Sequence, residues 1–79
     1  LALVTTPMAA LAMPAVGDMI GTDPATAKAA LEKAGCTVDS FGAEDGKVEA
    51  KCTDVATGKS AEVYIDPASG KVVGVKIKN

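Results

Sequence analysis

Residues 54–77 read DVATGKSAEVYIDPASGKVVGVKI. One frame occurs twice in this stretch, as Asp54-Val55-Ala56-Thr57-Gly58-Lys59 and as Asp66-Pro67-Ala68-Ser69-Gly70-Lys71. The Gly-Lys pair raises the question of a phosphate loop. A loop of that kind needs G-x-x-x-x-G-K-[ST], whose backbone N–H groups surround the phosphates and whose hydroxyl binds magnesium. Ile65 stands where the first glycine is needed and Val72 where the hydroxyl is needed. The frame is therefore read as a turn. Asp hydrogen-bonds nearby backbone, Pro presets φ, and Gly accepts a positive φ without steric cost.

A third Gly-Lys pair, Gly46-Lys47, lies at the same spacing before the other two. Each pair is followed by an alternating run of strand type. Val48, Ala50 and Cys52 fall on one face, as do Ala61, Val63 and Ile65, and then Val73, Val75 and Ile77. Cys36 and Val38 begin a similar run before the first turn. Three evenly spaced turns predict a single antiparallel meander rather than a solenoid. The second face, with Glu49, Lys51, Glu62, Tyr64 and Lys76, is polar and expected to be wet.

Upstream, residues 22–35 read TDPATAKAALEKAG and carry a start and a stop signal for a helix. Asp23 or Thr22 can accept an orphan backbone N–H. Pro24 suits the first helical position, and Gly35 supplies the left-handed residue that ends the helix. Ala27, Ala30, Leu31 and Ala34 form the apolar stripe, while Lys28, Glu32 and Lys33 take the other side. The fold expectation is α+β, one helix packed on a four-stranded antiparallel β-meander.

Composition narrows the function. The chain has 79 residues, a formal net charge of −2, eight lysines and no arginine. One small domain is all this length supports. Without arginine, bidentate recognition of bases and phosphates is missing, so nucleic acid is not an expected partner. Histidine is absent, which removes the usual general base near neutral pH and the commonest metal ligand. No catalytic, cofactor-binding or metal-ligating residue is assigned.

Residues 1–17 carry no charge, and Ala10-Leu11-Ala12 matches the small-x-small pattern ahead of a signal-peptidase cut. Residues 1–12 are expected to be a signal-peptide remnant or apolar tail, 13–21 an N-terminal extension, and 22–79 the domain. The apolar stretch is shorter than the ~20 residues of a membrane span, so no stable span is expected.

Cys36 and Cys52 share a face in any hairpin whose paired residue numbers sum to an even value. A sum of 88 sets Cys36 opposite Cys52 and Ser40 opposite Val48. A sum of 90, from a Glu44-Asp45-Gly46 loop, sets the cysteines diagonally and makes a direct bond harder. Exported chains are the setting in which disulfides persist. A structural disulfide between Cys36 and Cys52 is the expectation, with two buried free thiols, or redox or metal chemistry, as the alternatives.

The order helix, glycine, strand, "EDGKVEAKC" and "TGKSAEVYIDPASGKVVGV" resembles the PepSY family of peptidase propeptides and small bacterial envelope proteins. Tyr64-Ile65-Asp66-Pro67-Ala68-Ser69-Gly70-Lys71-Val72 is similar to that family's V-Y-V-D-x-x-T-G-K-V hairpin, and the resemblance covers roughly residues 22–77. The cysteine pair is not part of the family's general pattern. The resemblance implies a non-catalytic module in the periplasm or secreted, which binds or restrains a protein partner such as a peptidase. Val16-Gly17 through Gly35-Cys36-Thr37-Val38 is more weakly similar to the start of a PASTA cell-wall-binding domain.

From the residues themselves, the expected docking surface is the polar sheet face with the carboxyl-terminal edge strand, although Lys71, Lys76 and Lys78 oppose strand pairing there. The alternative reading is a hard cation held by Asp39, Glu44, Asp45 and Glu49. An enzyme is not expected.

Overall fold

The chain builds one helix and then four strands in sequence order, α1 (Pro24–Lys33), β1 (Cys36–Glu44), β2 (Lys47–Asp54), β3 (Ser60–Ile65) and β4 (Val72–Ile77). These come from a computed structural model that describes residues 13–78. The sheet order is β1-β2-β3-β4 with every neighbour antiparallel, which is a meander with α1 on one face. No helix among the described residues is long and apolar enough to cross a membrane. The expected remnant at residues 1–12 lies outside the described residues.

Helix α1 starts where its chemistry allows. Asp23 is the cap, and its Oδ2 accepts from the Thr26 backbone N–H at 2.9 Å and the Thr26 hydroxyl at 2.7 Å. Pro24 occupies the first turn, and Gly35 leaves the helix at φ 93°. Ala27 and Leu31 are buried, whereas Ala30 and Ala34 are only half-buried, so the stripe is narrower than its spacing predicts.

The two repeated turns are the same object built twice. Asp54 N donates to Lys59 O at 2.8 Å and Gly58 N to Asp54 O at 2.7 Å, while Asp66 N donates to Lys71 O at 2.9 Å and Gly70 N to Asp66 O at 2.8 Å. The aspartate Oδ1 accepts from Ala56 N in one and Ala68 N in the other; Oδ2 accepts from Thr57 Oγ1 and Ser69 Oγ. Gly58 and Gly70 both sit at φ 76°, a region that costs any residue with a Cβ. The first turn differs. Asp45 (φ 52°) and Gly46 (φ 74°) form a two-residue loop with both φ positive, the geometry that suits the right-handed twist of a hairpin.

Two irregularities move side chains to faces that alternation alone does not assign. In β1 the pairing runs Cys36↔Asp54 and Val38↔Cys52, then shifts past Asp39 to Ser40↔Lys51, Phe41↔Ala50 and Ala43↔Val48. The pair sum is 90 before the bulge and 91 after it, so Ser40 does not face Val48 and Phe41 takes the inner face instead. In β4 the pairing shifts between Tyr64↔Gly74 and Ile65↔Val72. Val73 is the extra residue and is 44% exposed, whereas Val72 is buried at 1%. The expected inward set Val73, Val75 and Ile77 is thus corrected to Val72, Val75 and Ile77, with Ile77 at the rim. One bulged residue displaces every side chain beyond it by half a period.

The core lies between α1 and the inner sheet face. Leu31, Val63, Ile65 and Val72 are its large members, with Ala27, Ala50 and Ala61 letting helix and sheet approach. Cys36 and Cys52 are joined as a disulfide across the β1–β2 pair, with Cα atoms 5.4 Å apart. The bond is diagonal, between residues whose ladder partners are Asp54 and Val38. A diagonal offset was expected to hinder such a bond. The Cα separation instead lies inside the usual disulfide range.

The segment before the helix is part of this packing. Ile20 is 5% exposed and belongs to the core. Gly17 N donates to Val72 O at 2.8 Å, Val72 N to Asp18 O at 2.9 Å, and Ile20 N and Gly21 N both to Gly70 O. Met19 forms a bridge with Lys71. A Cβ on Gly70 would lie 2.7 Å from the Gly21 carbonyl carbon, while one on Gly58 would meet nothing within 4 Å.

This contrast gives a paired expectation. Gly58→Ala carries only the left-handed penalty, about 1–2 kcal/mol. Gly70→Ala carries that penalty plus a backbone clash, roughly 1–3 kcal/mol more; denaturant unfolding of both variants checks the difference. Reduction of Cys36–Cys52, which spans 16 residues, should lower the unfolding free energy by about 3 kcal/mol, read from unfolding with and without reductant.

Candidate functional site

With α1 on the inner face, the outer face of the sheet is left uncovered among the described residues. Cross-strand pairs Glu49↔Tyr64, Lys51↔Glu62 and Glu62↔Lys76 place the polar side chains there in register. Past the β1 bulge, Ser40, Gly42 and Glu44 join the same face, since they pair with Lys51, Glu49 and Lys47. The expected outer set, Glu49, Lys51, Glu62, Tyr64 and Lys76, therefore does lie together. Sequence reasoning named Glu44 only for the cation reading, and it missed Gly74 and the outturned Val73. The spacing of Val38 and Phe41, three apart where alternation needs an even step, was the signal for the β1 bulge.

Two grooves cross this face. One, of about 230 Å³, is lined by Glu44, Asp45, Lys47, Tyr64, Val73 and Gly74. Gly74 pairs with Tyr64, and the absent side chain leaves the ring open along one edge. The second groove, about 300 Å³, lies at the other end of the face beside Asp39, Ser40, Lys51, Glu62 and Lys78. Tyr64 links the two. Its hydroxyl donates to Glu62 Oε1 at 3.0 Å, and Glu62 Oε2 is 3.2 Å from Lys78 Nζ.

The electrostatics follow from these neighbours. The hydrogen bond to Glu62, together with burial, pushes the Tyr64 phenol well above its ordinary value. Lys78 and the Tyr64 hydroxyl hold the Glu62 carboxyl below the usual range. Glu44 is raised, because the Glu49 carboxylate hydrogen-bonds it and adds like charge beside it. Glu49 itself is 9% exposed, held between neighbouring strands.

The four carboxylates of the cation reading do not converge. Asp39 sits at the bulge and accepts from Thr53 Oγ1 at 3.1 Å, while Glu44, Asp45 and Glu49 are gathered near the β1–β2 turn. Among the described residues no group of three or more Asp, Glu, Cys or His could hold a metal ion. A hard cation wants six to eight oxygens, which this arrangement does not offer.

The two sheet edges also differ. The edge of β4 begins under the 13–21 segment, whose backbone bonds to Gly70 and Val72. Lys71, Lys76 and Lys78, expected on that edge, are all exposed. The edge of β1 carries no lysine.

Comparison with known proteins gives one family. The model described as "Peptidase propeptide and YPEB domain" matches residues 1–76, so it begins well before the stretch that carries the resemblance in the sequence. No curated protein and no solved structure matches the chain significantly.

The carboxylates give a pH expectation of opposite signs. Glu44 has a raised folded value, so its contribution to stability is full below the ordinary 4.5 and is lost as pH rises through the raised value. Asp66, lowered by the Ala68 N–H and the Ser69 hydroxyl, contributes above the ordinary 3.8 and loses it as pH falls through the lowered value. Glu44→Gln should flatten the decline on the neutral side, and Asp66→Asn the decline on the acid side. Denaturation midpoints across acid to neutral pH check both slopes.

Proposed function

The chain belongs to the peptidase propeptide and YPEB domain family, and we propose that it works as a non-catalytic binding module outside the cytoplasm that restrains or engages a peptidase. The observation that carries this reading is the division of the sheet. One face is packed under α1 and Ile20, while the other, among the described residues, is an uncovered polar surface crossed by two grooves. A surface of in-register charged and aromatic side chains on a disulfide-linked sheet is pre-organised, which lowers the cost of docking.

A location in an oxidising compartment agrees with the Cys36–Cys52 bond, since such bonds persist there and are reduced in the cytosol. The module needs no catalytic group for this role. A restraining domain acts by occupying its partner's surface, and its rigidity does the work that a nucleophile does in an enzyme.

The expected outcome is direct. The purified, oxidised chain should co-elute with at least one peptidase from the envelope or medium of its source cell and slow that peptidase's hydrolysis of a small substrate. An unslowed peptidase, with the chain merely digested as a substrate, would overturn the reading.

A further inference from the structure

The binding reading leaves open where on the module a partner sits, and the two sheet edges answer differently. The start of β4 is already paired with the module's own backbone through Gly17, Asp18 and Met19. Beyond Val72 that edge is followed by exposed Lys76 and Lys78, and edge lysines discourage the approach of another strand. Edge β1 has neither protection. Among the described residues it has β2 as its sole sheet neighbour, and none of them donates to or accepts from the outer side of Ser40–Glu44.

The side chains along that edge define what would fit. Phe41 and Ala43 take the inner face, yet Phe41 is only half-buried and Ala43 is exposed. The ten-residue helix does not cover them fully. A small apolar notch of about 60 Å³ adjoins Phe41 between the helix start and the sheet. On the outer side stand Ser40 and Glu44, with Asp39 at the bulge and Asp45 at the turn, while the lysines paired with them, Lys51 and Lys47, lie one strand further from the edge. From Cys36 to Gly46 the charged residues are Asp39, Glu44 and Asp45, all acidic. An added strand alternates its side chains between the same two faces.

We propose that the Ser40–Glu44 edge of β1 is the docking edge, and that it takes an extended partner segment alternating apolar and basic residues. The apolar side chains cover Phe41 and Ala43, and the basic ones answer Glu44 and Asp39. This inference rests on the binding-module reading and names its surface. The backbone of the added strand supplies hydrogen bonds, and the alternating side chains supply selection.

The test uses the 79-residue chain and two short synthetic peptides, one alternating lysine and valine, the other glutamate and valine. Amide hydrogen exchange is followed residue by residue. The lysine peptide should slow exchange at Ser40–Glu44, and the glutamate peptide should not. Ala43→Lys, at an exposed position, and Glu44→Lys should each weaken the lysine peptide up to about fivefold, as exposed charge pairs do. Slowed exchange on β4 instead, equal effects of both peptides, or no effect of either would overturn the inference. So would sedimentation showing that a second copy of this chain occupies β1. The two readings separate cleanly. A peptidase that binds wild type and Ala43→Lys equally sinks the edge alone, whereas β1 protection with no peptidase bound sinks the peptidase reading alone.

Discussion

An aspartate carboxylate at the head of a six-residue turn satisfies the backbone that the turn exposes, and the fold depends on that interaction being made twice. At Asp54 and again at Asp66 the carboxylate takes a backbone N–H two residues on and a hydroxyl three residues on. The glycine then turns the chain back at φ 76°. Without these acceptors the exposed turn amides would bond to water instead, and each turn would lose the bonds that fix its shape, about 0.5–1.5 kcal/mol apiece. With them, β2, β3 and β4 are held in a register that lines up Ala50, Val63 and Val75 on the inner face.

The second turn does more than reverse the chain. Gly70 O receives the Ile20 and Gly21 amides, and the absent Cβ admits the Gly21 backbone. This seats Ile20 in the core and puts the 13–21 segment along the first residues of β4. A small domain buries a modest share of its surface. Here the deficit is met by that segment, by close alanine contacts and by the Cys36–Cys52 bond, all on the inner side of the sheet. The outer side takes no part in that packing.

Among the described residues the inner side is closed by packing, and the outer side and the β1 edge are left open. Glu49 and Glu62 bracket Tyr64 on that outer face, while Lys78 balances only Glu62. Near the β1–β2 turn Glu44, Asp45 and Glu49 outnumber Lys47, and Glu49 crowds Glu44. The chain belongs to the peptidase propeptide and YPEB domain family, whose domains are generally non-catalytic modules.

Much of this was legible in the residues because it is local. Asp23, Pro24 and Gly35 mark a helix by their own backbone chemistry, and the repeated Asp-to-Gly-Lys frame marks two turns by spacing alone. The α+β meander, the inner positions of β2 and β3 and the polar outer set follow from those signals. What local chemistry does not contain is where a strand gains a residue. The bulges at Asp39 and Val73 depend on how β1 and β4 must bend to pack against their neighbours. They decided that Phe41 faces in, that Val73 faces out and that the cysteines bond diagonally. Gly58 and Gly70 are equivalent in sequence and conformation. Only tertiary structure made one open and the other the seat of the N-terminal segment, because close approach between distant backbones is a property of the assembled chain.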